Sequence, residues 1–351
     1  MLIVDSHLDI AYNAIEWDRD LLQPITTIRE SEAGMAQKGR GLNVVCFEEL
    51  RRGNIGLFVV TCGCRLASQG KRFPRVHTQD IAYAKCRGEL AYYRLMESKN
   101  ILRQIRDVAT LDAHLQQWEH DSDSTPLGFV LSMEGADGIV CESQVEEWWD
   151  EGLRIVSLCH YGVSSYSHGT QAPGGLTARG KPLLKNLDQA GIILDVSHLA
   201  EQAFWESLEI FKGPVIATHN CCRVLCDHDR QLDDKQISAL IGRDGVIGIA
   251  FDDWMLSPLW DKEAMDNTRI SLVTVVDHID HVCQLAGNSK HVAIGTDLDG
   301  GYGKEQSPND LDTIADLRCI PSLLEKRGYS RGDVANIMHA NWIRTLKRAW
   351  T

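Results

Sequence analysis

Short apolar runs recur along the chain, each long enough for one strand and bounded by turn or polar residues. They cover residues 2–4, 55–62, 128–133, 154–158, 191–196, 214–217, 245–250 and 291–294. Segments of helical composition separate them, so the pattern predicts strand and helix in alternation, eight times over. No GxGxxG turn follows the first run, which disfavours an open dinucleotide-binding sheet. A (β/α)8 TIM barrel is expected. Residues 14–54 read as a long, polar and irregular βα connection, broken at Gly34, Gly39 and Gly41. Residues 79–118 read as helical, with Thr110 the expected cap of a helix through His114 to Trp118. Neither a repeat nor a linker divides the sequence, so one domain over residues 1–351 is expected.

Several runs end in residues that carry chemistry. The first leads into His7 and Asp9, the third into Glu134, the fourth into His160, the fifth into Asp195 and His198, the sixth into His219 and the eighth into Asp297 and Asp299. Barrel enzymes gather their chemistry at the C-terminal ends of the strands, where residues from different strands converge. Taken singly, Glu134 reads as a loop carboxylate, His160 as a core histidine and Asp297 as a turn former; their repeated placement at strand ends argues otherwise. If the first strand continues, His7 and Asp9 lie two apart and point the same way, where one divalent cation could hold both. Nitrogen and oxygen donors suit zinc or its first-row neighbours. If Glu134 bridges two ions, His7, Asp9, Glu134, His198 and His219 give each ion three donors and leave positions open for water.

Composition narrows the partner. With 36 basic and 49 acidic residues the formal charge is −13, which disfavours nucleic-acid backbones and anionic membrane surfaces and leaves a small molecule. The 11 cysteines lack paired CxxC spacing, and no secretory signal pattern precedes the first strand. A cytoplasmic protein without disulfides or a cysteine metal site is expected. No apolar run approaches the roughly 20 residues a bilayer requires.

On these residues the chain resembles the membrane (renal) dipeptidase family, the zinc dipeptidases of the amidohydrolase superfamily (peptidase family M19). The resemblance runs through DSHLD, SMEGAD, GLTARGKPLLKNLDQAGIILDVSH, ATHNCCRVLCDHDRQLDD, DHIDHV and HVAIGTDLDGG. Other amidohydrolases usually open on H-x-H and bridge their metals with a modified lysine, where this chain has H-x-D and Glu134. The resemblance implies a dipeptidase with two Zn2+ per chain: His7 and Asp9 on one ion, His198 and His219 on the other, and Glu134 between them. It also implies that a hydroxide bridging the cations attacks the peptide bond. His160 would stabilise the oxyanion, Asp297 would pass a proton to the leaving amine, and Arg230 would grip the dipeptide's free carboxylate. L-Xaa-D-Xaa substrates are expected, and the family adds a homodimer as an expectation.

The sequence YGVSSYSHGT after His160, the run IGLFVVTC and the HDRQL around Arg230 depart from the family's usual patterns, which leaves side-chain preference open. Tyr12, Tyr161 and Arg223 are candidate pocket walls. His278 and His281, with Asp277 and Asp280, read as helix packing rather than a metal pair. Trp148 and Trp149 read as barrel packing and Asp299 as a loop-shaping carboxylate. Two alternatives stand beside the dipeptidase: a hydrolase of a lactone, cyclic amide or N-acyl amino acid on the same scaffold, and a non-catalytic barrel.

Overall fold

The computed structural model describes residues 1–66, 76–261 and 263–351. Its strands are β1 (Ile3–Leu8), β2 (Ile55–Gly63), β3 (Leu102–Gln104), β4 (Leu127–Glu134), β5 (Leu153–Ser157), β6 (Ile193–Asp195), β7 (Val215–Asn220), β8 (Ile247–Ile249) and β9 (Val292–Ile294). All pairs are parallel, and the order β1-β2-β4-β5-β6-β7-β8-β9 makes a nearly closed (β/α)8 barrel. The ninth strand, β3, pairs only with the start of β4. The hydrophobic pattern does not announce it, because Ile101 and Leu102 read as the tail of a helix. Residues 79–118 therefore hold two helices, Gln79–Ser98 and Val108–His120, with β3 between them. The second is capped by Asp107 and not by Thr110. Asp107 accepts the Thr110 N–H at 2.8 Å, and Thr110 Oγ1 accepts the Asp107 N–H at 3.2 Å, the two halves of a capping box.

The connection over residues 14–54 is less irregular than its composition suggests, since it contains the helices Ile25–Ser31 and Phe47–Arg52. Arg19 ties it together from inside, donating to Glu32 Oε1 at 2.8 Å, Asn13 Oδ1 at 2.7 Å and the Gly39 carbonyl at 2.8 Å. Asp299 fastens the far end by accepting the Val44 and Val45 N–H groups at 3.0 and 2.9 Å, the loop-shaping role expected of it.

Two apolar cores hold the barrel. The larger lies between strands and helices, and contains Trp148. Trp149 packs beneath the Arg154 guanidinium, 3.6 Å from ring centroid to Cζ. The smaller core gathers Val4, Val59, Val130, Ile155, Ile193 and Ile216 from successive strands, with Trp342 and Leu346 of the helix Asn341–Trp350 against them. Two residues further along those same strands stand Ser6, Thr61, Ser132, Ser157, Asp195 and Thr218, all buried. The period of two thus carries the barrel interior from an apolar layer to a polar one.

Closure between β9 and β1 uses side chains. The Ser6 hydroxyl lies 2.5 Å from the Thr218 carbonyl and 3.1 Å from that of Ile294, while Asp5 accepts the Thr296 N–H and hydroxyl at 2.9 and 2.6 Å. Gly248 and Gly295 make room for this meeting: a Cβ on either would lie 2.1 or 1.9 Å from the Thr218 carbonyl oxygen. All eleven cysteines are free thiols, and only Cys141 and Cys319 are exposed. No helix among the described residues is long and apolar enough to cross a membrane.

Candidate active site

Backbone irregularities at the strand ends aim the site. Asp5 pairs with Phe58 and Leu8 with Val60, so β1 carries one residue more than β2 over this interval. Ala217 and Asn220 likewise pair with Ile247 and Ile249, leaving an extra residue on β7. Such bulges redirect side chains. His7 lies in the first and His219 in the second, which lets each histidine share the interior with its preceding hydroxyl residue, Ser6 or Thr218. His198 and Asp297 sit just past their strands with φ of 67° and 58°, the left-handed region that costs a non-glycine residue free energy.

Asp9 departs from the simple alternation expected of it. The strand stops at Leu8, and Asp9 stands at the N-cap of the helix Ile10–Glu16. Its carboxylate makes no capping bond. It accepts the Thr61 hydroxyl instead and lies 3.9 Å from His7 Nε2. Bulge and turn together achieve the convergence, because a side chain at the turn is free to swing back over the barrel mouth.

Glu134, at the end of β4, is the hub. Its Oε1 lies 3.1 Å from His198 Nε2, 3.2 Å from His219 Nε2, 3.5 Å from His160 Nε2 and 3.7 Å from His7 Nε2. Asp297 Oδ1 is 3.7 Å from His7 Nε2, and the Nε2 atoms of His198 and His219 are 3.1 Å apart. Three overlapping sets have their donor atoms close enough for one cation: His7-Glu134-His219, Glu134-His160-His198 and His7-Asp9-Asp297. The sets group His219 with His7 and bring His160 beside His198, so pairing by strand order is not the arrangement that distance alone favours.

The donors fit cations. His7 Nε2 and Glu134 Oε1 are buried without a hydrogen-bond partner among the described residues, an arrangement whose cost a cation would remove. Burial, reinforced by the positive charge of Arg230, pushes His198 and His219 well below the ordinary imidazole range. Neutral imidazoles present lone pairs, as metal ligands must. Burial and the neighbouring Asp9 carboxylate push Glu134 up to about 7 against the pull of the His7 imidazole and the Arg65 and Arg230 guanidiniums. Asp297 is pushed well above the ordinary carboxylate range by burial and by Asp9, Glu134 and Asp252.

Arg230 is 3% exposed and lies beneath the same cluster. Its Nη2 donates to the His219 carbonyl at 2.7 Å, while Nη1 is buried with no partner among the described residues. Tyr161 lies at the site, its ring centroid 5.0 Å from that of His160 and 5.1 Å from that of His198. Tyr12 lies further out, edge-on to Trp17 at 6.5 Å. Arg223 is not brought to the pocket: it reaches Glu201, Asp233 and the Gln231 carbonyl. His278 and His281 are spent on the Leu256 carbonyl and on Asp234.

Sequence reading overlooked four groups. Arg65 Nη2 approaches His160 Nε2 at 3.3 Å. Thr170 Oγ1 lies 3.1 Å from His198 Nδ1, and Thr218 Oγ1 lies 2.9 Å from His219 Nδ1. Asp252 follows β8, whose register pairs Ile249 with Ile294, and that offset sets Asp252 beside Asp297. Hydroxyls and a lone arginine give no one-dimensional signal; Asp252 could have been found, since it follows the seventh apolar run as Asp297 follows the eighth.

A barrel with neutral imidazoles and carboxylates converging at the C-terminal ends of its strands defines a metal-dependent hydrolase. The model of the membrane dipeptidase family (peptidase family M19) matches residues 1–351, and the chain belongs to that family. An uncharacterised Klebsiella pneumoniae protein from the pqqA 5′ region is 31% identical over 233 residues, covering 64% of this chain and 83% of that protein. Dipeptidase tcpJ of Claviceps purpurea is 30% identical over 231 residues, 63% of this chain and 51% of that protein, so the match spans about half of this relative. Among solved structures, a Rhodobacter sphaeroides metallopeptidase liganded with a phosphinate mimic of the dipeptide L-Ala-D-Ala superposes with a TM-score of 0.79 at 19% identity, covering 100% of this chain and 99% of that one.

Proposed function

We propose that this chain is a dipeptidase that holds two zinc ions and hydrolyses dipeptides, L-Xaa-D-Xaa among them. One observation carries the reading: a cluster of cation-binding donors stands beside a buried guanidinium that holds the His219 carbonyl and whose second nitrogen has no partner among the described residues. His7, Asp9, Glu134, His198 and His219 would hold the ions, with Glu134 common to both. Bound there, two cations would acidify water and polarise the scissile carbonyl.

The remaining groups act directly on the substrate. Arg230 turns Nη1 toward the C-terminal carboxylate, fixing which end of the dipeptide lies over Glu134. His160 donates to the carbonyl oxygen as it gains charge. Asp297 receives a proton at its carboxylate and delivers it to the leaving amine; the high proton affinity that burial and neighbouring carboxylates confer suits that task. The ligand of the Rhodobacter metallopeptidase mimics L-Ala-D-Ala, a dipeptide with a D-residue at its C-terminal position, which supports including such substrates here. We read residues 1–351 as one domain acting on a small molecule in the cytoplasm, where eleven unpaired thiols stay reduced.

The test is hydrolysis of an L-L and L-D dipeptide panel by metal-stripped protein, before and after zinc is added. Zinc-dependent cleavage is expected, falling about 10²–10⁴-fold in Asp297→Asn. Absence of cleavage of every dipeptide by zinc-loaded protein would overturn the dipeptidase reading in favour of other amides or esters.

A further inference from the structure

Beneath the proposed ligands lies one hydroxyl with more neighbours than it has protons. Thr218 Oγ1 is 2.6 Å from Asp195 Oδ2, 2.9 Å from His219 Nδ1, 3.3 Å from Ser197 Oγ and 3.5 Å from His7 Nδ1. A threonine hydroxyl has one proton to give and two lone pairs with which to accept. Asp195 collects donors: its Oδ1 accepts the Ser197 and Thr218 N–H groups at 2.9 and 3.0 Å. The short contact to Oδ2 is therefore where the Thr218 proton goes.

We infer that Thr218 is a positioning residue whose hydroxyl, oriented by Asp195, holds the proton of His219 on Nδ1 and, through the longer contact, that of His7 on Nδ1. The lone pairs left on Thr218 Oγ1 can only accept, so a ring nitrogen in contact with them must carry hydrogen. Each Nε2 is then a lone pair turned toward Glu134, from which the two lie 3.2 and 3.7 Å. The two rings sit side by side over this hydroxyl, their centroids 3.7 Å apart at an interplanar angle of 31°. Among the described residues Thr218 Oγ1 is the acceptor within reach of His7 Nδ1, and the contact favours the proton on that nitrogen.

The bulge on β7 makes the arrangement possible. It lets Thr218 and His219, consecutive in sequence, both turn to the interior, hydroxyl below and imidazole above. Thr218 is 1% exposed, and its carbonyl is wedged between Gly248 and Gly295, which fixes the backbone that carries the hydroxyl. Thr170 stands in the same relation to His198, accepting at 3.1 Å from Nδ1 while its proton faces the His198 carbonyl at 3.4 Å. An imidazole that ligates a metal is commonly held by an acceptor on its other nitrogen, and loss of that acceptor typically weakens binding about 10–100-fold.

This inference rests on the metal reading above, and two measurements separate their failures. Zinc affinity is measured by competition with a chromophoric chelator in metal-stripped wild type, Thr218→Val and Thr218→Ser. The valine keeps the shape and removes the hydroxyl, so its affinity should fall about 10–100-fold while the serine stays within about threefold of wild type. Wild-type affinity in the valine variant, or equal weakening in both variants, would overturn the proposal. The second measurement needs no variant: ¹⁵N shifts of the imidazoles in metal-free wild type should show His219 in the tautomer protonated on Nδ1. A proton on Nε2 of His219 would overturn the inference, whereas failure of zinc to bind wild type would sink the metal reading and leave the tautomer to decide this one.

Discussion

Among the described residues the guanidinium of Arg230 makes one hydrogen bond with a fork built for two. Its Nη2 is committed to the His219 carbonyl, and Nη1 is buried without a partner among the described residues. A hydrogen bond to a charged group contributes about 1.5–3 kcal/mol, so Arg230→Ala should raise KM roughly 10–100-fold with a smaller change in kcat. Steady-state kinetics on a dipeptide and on its C-terminal amide check the assignment, since the amide lacks the carboxylate and should be indifferent to the substitution. Equal losses on both would assign Arg230 to holding His219 instead. The same attention to single atoms resolves Asp9: a cap residue that spends its carboxylate on Thr61 rather than on its helix has that group available to a cation.

At the scale of elements, the strand ends and the helices behind them carry separate burdens. Gly295 meets Gly248 where β9 closes on β1, and a methyl group there would fall 1.9 Å from a backbone oxygen that no rotamer can move. Gly295→Ala should therefore destabilise the barrel by about 1–3 kcal/mol or more, read from chemical denaturation. The helix Leu272–Ala286 carries His278, whose Nδ1 accepts the Cys222 N–H at 3.0 Å and whose Nε2 faces the Leu256 carbonyl at 2.9 Å. Burial pushes its pKa down to about 4. A folded-state value below the ordinary 6.5 means that the unfolded chain takes up the proton first, so stability falls as pH drops from about 6.5 to about 4. The loss should approach about 3 kcal/mol and be complete below that window. Unfolding free energies of wild type and His278→Asn, compared from pH 7 to pH 4, should converge by this amount toward the acid end. A difference that does not change with pH would show that His278 does not titrate there.

For the whole molecule, the cores are apolar and lie below or outside the mouth, so the barrel does not depend on ions for its fold. The mouth itself does the opposite: buried carboxylates and imidazoles crowd together at a cost that cations relieve. Metal-stripped protein should remain folded and gain stability when zinc is added. At a free concentration about a thousandfold above Kd the gain is about 4 kcal/mol, roughly 5 °C in Tm for a chain of this length. Calorimetry with and without zinc measures it, and an unchanged Tm would mean that the cluster binds no ion tightly.

The sequence by itself determined the barrel and the ring of chemistry at its mouth. Both follow from local rules: apolar runs too short for helices, a fixed alternation of strand and helix, and polar residues at the same end of each run. It carried the second interior layer as well, since Thr61, Ser132 and Thr218 stand two positions beyond Val59, Val130 and Ile216. Only the tertiary structure decided which way those residues point. The bulges at His7 and His219, the left-handed backbone at His198 and Asp297, and the turn that brings Asp9 back all depend on strands distant in sequence meeting in register. β3 was invisible for the same reason, because three residues with one apolar side chain become a strand only where β4 offers them an edge. Likewise, Arg65 and Thr218 acquire a partner only when the barrel closes, and no spacing along the chain records the distance between a hydroxyl on one strand and an imidazole on another.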